Sequence, residues 1–228
     1  MSKILVLGDI HGLTSWKGIV QAEEWDVCVF LGDYFDSWDH TAEEQIENFR
    51  DIWAFKMATE FEDEDRKVIL LMGNHDLHYL IPFEEYSGYN RIHMKEIQDA
   101  LLKAKSEMQA AYELDGYLFT HAGVTKTWAR DNGIDTDNIV EGINALNLEK
   151  FKFSQVDTSG YGQHVSQGPM WVRPESLEKD AVDIYIQVVG HTKQKEVENI
   201  GKFIVLNDVL WNNQYVVIES GKVTVKTQ

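Results

Sequence analysis

Asp9, His11, Asp33, Asn74, His121 and His191 are the residues of this chain whose types and placement could do chemistry together. Each stands just after an apolar run: Ile4–Leu7 before Gly8-Asp9-Ile10-His11-Gly12, Val27–Leu31 before Gly32-Asp33, Val68–Met72 before Gly73-Asn74-His75-Asp76, Tyr117–Phe119 before Thr120-His121-Ala122-Gly123, and Ile184–Val189 before Gly190-His191-Thr192. Asp9 and His11 alternate, so in extended backbone both point to one side. A carboxylate such as Asp33 has two oxygens and can bridge two cations. The set mixes oxygen and nitrogen donors and contains no thiolate. That favours Mn, Fe, Zn or Ni over Ca or a structural Zn site, with Mn the first expectation.

The elements that must position these residues follow from the same runs. Short continuous β-branched stretches bounded by Gly read as strands buried on both faces. Loops leaving the carboxyl ends of such strands form the ligand crevice of an α/β sheet. The N-terminal half alternates strand 3–8, helix 14–23, strand 26–32, helix 41–60 and strand 67–72. Thr41-Ala42-Glu43-Glu44 fits a capping box with Thr41 at the N-cap. Ile46, Phe49, Trp53 and Met57 recur at helical spacing and are expected to face the core. A second long helix is expected over 91–111, with Ile97, Leu101, Ala104 and Met108 inward. Strand 117–121 follows. The segment 130–168, rich in Asn, Asp and Gly, yields only a short helix near 138–146. Strands at 183–189, 203–206, 214–219 and 222–226 follow, the last two a hairpin about Ser220-Gly221. An alternating half followed by a β-rich half suggests two sheets packed face to face with helices outside.

Composition limits what the chain can do. With 228 residues and 43% hydrophobic content, it can bury a full core. Three prolines and no low-complexity stretch give no linker, so a single domain over 1–228 is expected. Cys28, the only cysteine, sits in an apolar run and reads as a small buried hydrophobe. No leader is seen and no apolar stretch reaches the roughly 20 residues that span a bilayer. A soluble protein of the cytoplasm, with no membrane partner, is the expectation. The net charge of −17 disfavours bulk nucleic-acid binding. Phosphate chemistry remains open, because two divalent cations beside Asp9 and Asp33 would make the site locally positive.

The ordered series Gly8-Asp9-Ile10-His11-Gly12, Gly32-Asp33-Tyr34-Phe35-Asp36, Gly73-Asn74-His75-Asp76, His121-Ala122-Gly123 and Gly190-His191-Thr192 resembles the calcineurin-like metallophosphoesterases. Within them it is most similar to the serine/threonine phosphoprotein phosphatase branch, including its compact bacterial and phage members. The resemblance implies an α/β, four-layer α-β-β-α sandwich: two central mixed β-sheets flanked by helices, with a dinuclear metal site at the strand carboxyl ends. It implies a metal-dependent phosphatase acting on phosphoric monoesters, with a hydroxide bridging the two metals as nucleophile. Asp9, His11 and the bridging Asp33 would hold one divalent ion, and Asn74, His121 and His191 the other. His75 would be the general acid and Asp36 would orient it. A His beside a carboxylate is chemically suited to protonating an alkoxide. The substrate would be a phosphoprotein or a small phosphoester.

Two departures bear on substrate. The family's second loop usually continues Asp-Arg-Gly, whereas here it reads Asp36-Ser37-Trp38. Arg173, in Gly168-Pro169-Met170-Trp171-Val172-Arg173-Pro174, is the first candidate to replace that clamp, binding substrate with Asn74; Arg91 is the second. Lys193 stands where many phosphodiesterase and nuclease members have a further His, and while protonated it cannot ligate. This favours monoesters. A nucleotide phosphoanhydride, such as a dinucleoside polyphosphate, is the alternative substrate. A silent scaffold is disfavoured because every ligand position is filled. Among other histidines, His78 reads as structural, His40 and His93 as exposed, and His164 as able to border the site from its Gly-rich loop. Trp38 and Trp171 read as rim or core aromatics able to stack on a substrate ring.

Overall fold

The computed structural model describes residues 1–82 and 84–228. Its first half runs β1 (Ile4–Leu7), α1 (Trp16–Ala22), β2 (Val27–Phe30), α2 (Ala42–Glu62) and β3 (Lys67–Leu71), then α3 (Asn74–Leu77) and α4 (Met94–Ala104). The chain continues as β4 (Met108–Gln109), β5 (Ala111–Leu114), β6 (Tyr117–Thr120), α5 (Lys126–Asp131), α6 (Ile139–Asn144) and α7 (Pro174–Asp180). It closes with β7 (Ile186–Val189), β8 (Glu198–Ile200), β9 (Ile204–Leu206), β10 (Gln214–Glu219) and β11 (Lys222–Thr227).

One sheet is ordered β11-β10-β1-β2-β3-β4, the other β5-β6-β7-β9-β8. Both are mixed. β1 to β4 run parallel while β10 and β11 are antiparallel, and in the second sheet β6, β7 and β9 are parallel between antiparallel edges. Side-chain alternation along β1 explains the layering. Ile4 and Val6 face the second sheet and pack with Val29, Phe119, Val188 and Val205. Leu5 and Leu7 face outward against Trp16, Ile19, Phe49, Ile52 and Leu101 of α1, α2 and α4. α7 covers the outer face of the second sheet through Leu177, against Val189 and Leu206. The result is the expected four-layer sandwich. Truncating a fully buried knob of the helical layer such as Phe49 is expected to cost about 3–5 kcal/mol.

Local signals mostly hold. Thr41 caps α2, accepting from Glu44 N at 3.2 Å while Glu44 Oε2 accepts from Thr41 N at 2.7 Å. Ser220 and Gly221, at φ 52° and 75°, make the left-handed pair of a two-residue hairpin turn between β10 and β11. Cys28 is buried in the core.

Three expectations need correction. The inward stripe of α2 turns away from Met57, which is 49% exposed, because Lys56 is drawn in. The Lys56 ammonium donates to Glu60 at 2.7 Å and to Val68 O at 2.9 Å, tying the helix to the start of β3. The helix expected over 91–111 is α4 alone; a 3-10 turn at Lys105–Glu107 then releases the chain into β4 and β5. The strand expected over 183–189 begins at Ile186. Among the described residues no helix is long and apolar enough to cross a membrane.

Candidate active site

The carboxyl ends of β1, β2, β3 and β7 open on one cavity of about 820 Å³, reached by Asp9, His11, Asp33, Asn74, His75 and His191, with His121 at the end of β6 buried behind Asn74 and Asp33. Strand-to-loop turns aim them there, and the backbone is strained to do so. Among the described non-glycine residues seven have positive φ, and four of them are His11 (39°), Asp33 (51°), Asp36 (66°) and His191 (62°). Such conformations cost of order 1–3 kcal/mol each and cluster at functional sites. The glycines before the ligand positions are there because nothing larger fits. A Cβ on Gly73 would stand 2.0 Å from Asp33 Oδ1, and one on Gly190 would stand 2.1 Å from Asp9 Oδ1.

Two triads of donor atoms form, each within 4.8 Å: Asp9, His11 and Asp33, and Asp33, His121 and His191. Asp33 belongs to both. Its Oδ2 lies 3.8 Å from His11 Nε2 and 3.2 Å from His121 Nε2. Asn74 Oδ1 is 2.9 Å from His121 Nε2 and 2.8 Å from His191 Nδ1. His11 and His121 each donate Nδ1–H to a backbone carbonyl, Phe35 O at 2.6 Å and Leu31 O at 2.9 Å. Such bonds fix the tautomer and turn Nε2 inward, as ligating imidazoles require.

Electrostatics show what charge the cluster favours. Burial and the neighbouring Asp208 hold the Asp9 carboxyl well above the usual range. Burial likewise opposes a charge on His121, but Asp33 and Asp9 outweigh it and raise its pKa to about 10. The cluster therefore favours positive charge at its centre. Burial and His121 push His191 down, and its Nε2 is buried with no partner. Buried acids gathered with imidazoles, and mixed O/N donors within 4.8 Å of one another, fit a divalent ion at each triad.

Beside the triads, His75 Nδ1 donates to Asp36 Oδ2 at 2.8 Å and its backbone N–H to Asp33 Oδ1 at 2.8 Å. Burial disfavours a charge on His75, yet Asp33 and Asp36 raise its pKa above the ordinary value. Arg173 also reaches the cavity. Its Nη1 donates to His191 O at 3.0 Å and Thr192 Oγ1 at 3.1 Å, and its Nε to Tyr161 O at 3.1 Å. Arg91 is on the surface, paired with Glu85. His164 lies off the cavity, bonded to Ser166, while Tyr161 of the same loop lines it. Trp38 and Trp171 both border the cavity. His78 is buried, in contact with Asp36. His40 and His93 are half-buried rather than exposed.

Sequence reasoning missed three parts of the site. Asp76 is fully buried and accepts from Asp33 N, Tyr34 N and Gly73 N at 2.8–2.9 Å, locking the β2 loop to the β3 loop. Burial and Asp33 raise its pKa to about 7. Asp208 follows β9 and lines the cavity, its pKa lifted to about 6 by burial and Asp33. It was legible as a sixth apolar run ending in a carboxylate, Ile204-Val205-Leu206-Asn207-Asp208, though no Gly marks the turn. Lys193, rejected as a ligand, and Trp211 face the cavity together, the ammonium 4.4 Å from the ring centroid.

Residues 2–195 match the model of the calcineurin-like phosphoesterase family, and the chain belongs to that family. It is a hydrolase acting on phosphoric esters. One curated relative it resembles is Shewanella-like protein phosphatase 1 of Plasmodium berghei (strain Anka), 25% identical over 255 residues, covering 96% of this chain and 67% of that protein. Its name agrees with the phosphoprotein phosphatase branch to which the motifs point. Among solved structures, the cold-active protein-tyrosine phosphatase of a psychrophilic Shewanella species superposes with TM-score 0.63 at 18% identity, over 100% of this chain and 80% of that one. A metallophosphoesterase from Sphaerobacter thermophilus gives 0.51 at 13% identity, over 99% and 88%. These two structures speak for the fold.

Proposed function

We propose that the chain is a phosphoric-monoester hydrolase with two divalent ions, Mn in preference to Fe, Zn or Ni. Asp9, His11 and Asp33 would hold one ion, and Asp33, Asn74, His121 and His191 the other. The ions would supply Lewis-acid stabilisation of the phosphoryl oxygens and a nucleophilic hydroxide near neutral pH. Arg173, pinned by His191 O and Thr192, and Asn74 bind the remaining phosphoryl charge. His75 delivers the Nε2 proton to the departing ester oxygen, since its Nδ1–H is already committed to Asp36. Asp36 orients the ring and favours its charged form. The observation that carries this reading is the sharing of Asp33 between the two donor triads, with His75 bonded to its other oxygen.

One observation favours a second substrate class. The cavity mouth is aromatic, with Trp38, Tyr86, Tyr161 and Trp211 around Lys193 and Arg173. That suits a nucleotide phosphoanhydride, whose base would stack while the cations hold the phosphates. Mn-loaded protein offered a phosphoserine peptide, p-nitrophenyl phosphate and diadenosine tetraphosphate separates the two by kcat/KM. Preference for the monoesters is expected, with His75→Asn losing roughly 10²–10⁴-fold in kcat on the peptide. Near-wild-type turnover in that variant sinks the mechanism.

A further inference from the structure

Asp36 has more partners than an orienting carboxylate needs. Its Oδ2 meets His75 Nδ1 at 2.8 Å and His78 Nε2 at 2.7 Å. Its Oδ1 accepts the Tyr79 hydroxyl at 2.5 Å. His75 and His78 lie three residues apart across α3 and its C-cap, so one turn of helix brings both rings to the same side. The His78 side chain is fully buried. Tyr86 N–H donates to its Nδ1 at 3.4 Å, which leaves the proton on Nε2, facing Asp36. That approach is close but out of line for a well-formed hydrogen bond, so its attraction is mainly charge to dipole. Tyr79 supplies the directed bond, and its oxygen in turn accepts Asn90 N–H at 2.8 Å.

The surroundings show why such bracing is needed. Asp36 sits at φ 66°, a conformation its own backbone does not favour. Next to it, the place of a Cβ on Gly88 is only 2.9 Å from Asp36 Cβ, so the loop carrying Tyr86 and Tyr89 closes tightly over the carboxylate. His78 stacks on Tyr86, and Tyr79 on Tyr89 with centroids 4.7 Å apart. Asp36, His75 and His78 are also near enough to suggest a third cation site. Here His75 Nδ1–H and the Tyr79 hydroxyl already donate to the two oxygens of Asp36, so the cluster is a hydrogen-bonded one.

We infer that His78 and Tyr79 are positioning residues for leaving-group protonation: they fix both oxygens of Asp36, and through it hold His75 Nε2 aimed at the ester oxygen. This rests on His75 being the acid, as proposed above. As a hydroxide oxygen bonds to phosphorus the ester P–O bond breaks, and its electron pair stays on the ester oxygen, which takes the His75 proton; the next water returns a proton to His75 and becomes the next hydroxide. An alcohol leaving group needs the proton and a dinitrophenolate does not. Loosening Asp36 must therefore slow the first kind of ester and spare the second.

The test is steady-state kinetics of the Mn-loaded protein on a phosphoserine peptide and on 2,4-dinitrophenyl phosphate, for wild type, His75→Asn, His78→Ala, His78→Gln and Tyr79→Phe. Melting curves would confirm that each variant is folded. His78→Ala and Tyr79→Phe are expected to lower kcat on the peptide about tenfold with little change in KM or in dinitrophenyl phosphate turnover. His78→Gln is expected to recover most of the loss, because its amide N–H can occupy the place of Nε2. The mild Tyr79→Phe change keeps the test open should His78→Ala fold poorly. If both esters slow equally, or neither slows, in His78→Ala and Tyr79→Phe while His75→Asn is selective for the peptide, the inference falls and the acid stands. If His75→Asn itself slows both esters equally, the acid assignment falls and the inference with it.

Discussion

The floor and the mouth of the cavity are built on opposite plans. The floor is Asp9, Asp33, Asn74 and His121, each at most 4% exposed and each fixed by a strand end. The mouth is Trp38, Tyr161 and Trp211, which are 84%, 72% and 43% exposed and stand between the strands and long helices, the first two on loops and Trp211 on a 3-10 turn. Floor residues are held by backbone groups, His121 by Leu31 O, Asp9 by His191 N–H and Asp33 by His75 N–H, with Asp76 beneath Asp33. Mouth residues have few such ties. Rigid elements carry the chemistry, where an error of an ångström is costly, and loops carry the choice of substrate, where adaptation helps.

The contrast predicts unequal responses to mutation. Asp33→Asn, at the oxygen pair shared by both triads, is expected to lower kcat on the order of 1,000-fold, and elemental analysis should show bound metal falling as well. A variant that keeps both would show that the floor does not depend on its shared residue. Arg173→Ala, between floor and mouth, should cost about 2 kcal/mol in phosphoryl binding, or about thirtyfold in kcat/KM. Metal affinity of the floor should fall as pH is lowered. His121, with a pKa near 10, and Asp9, raised well above the carboxylate range, hold protons that a metal ion must displace. Lower pH favours those protons, so titration calorimetry at pH 6 and pH 8 should give the tighter binding at pH 8. Equal affinity would argue that neither group gives up a proton. Trp38→Ala should change least, raising KM for aromatic esters two- to fivefold, about 0.5–1 kcal/mol, with kcat kept. A large kcat effect there would erase the division between floor and mouth.

The same contrast governs what could be read from the sequence. Floor residues announce themselves, because an apolar run, a Gly and a ligand-type residue are consecutive in the chain. The mouth was partly visible in Trp38 but not in Trp211 or Tyr161, which only the folded chain brings beside it; Trp171 borders the cavity from the core. Asp76 was written in a motif, yet nothing local says that its carboxylate would bind three backbone amides. In α4 the inward residues Ile97, Leu101 and Ala104 were legible, and Met108 is buried as expected, but on a strand. Periodicity cannot sense that the open edge of β3 needs a partner, which β4 supplies by accepting Met72 N–H at Gln109 O, 3.0 Å. Met57 failed for a similar reason, since the pull on Lys56 comes from Val68 O in another element.

His191 N–H donates to Asp9 Oδ1 at 3.0 Å across 182 residues of chain. The cavity floor is thus sewn shut by the turn after β7 onto the turn after β1, the earliest strand. During synthesis, a chain that has emerged only through β6 would hold Asp9, His11 and Asp33 in place but no closed pair of triads. Closing of the second triad on this plan comes after the two sheets have met. Its ion would be a late guest of the folded enzyme, not the seed around which it folds.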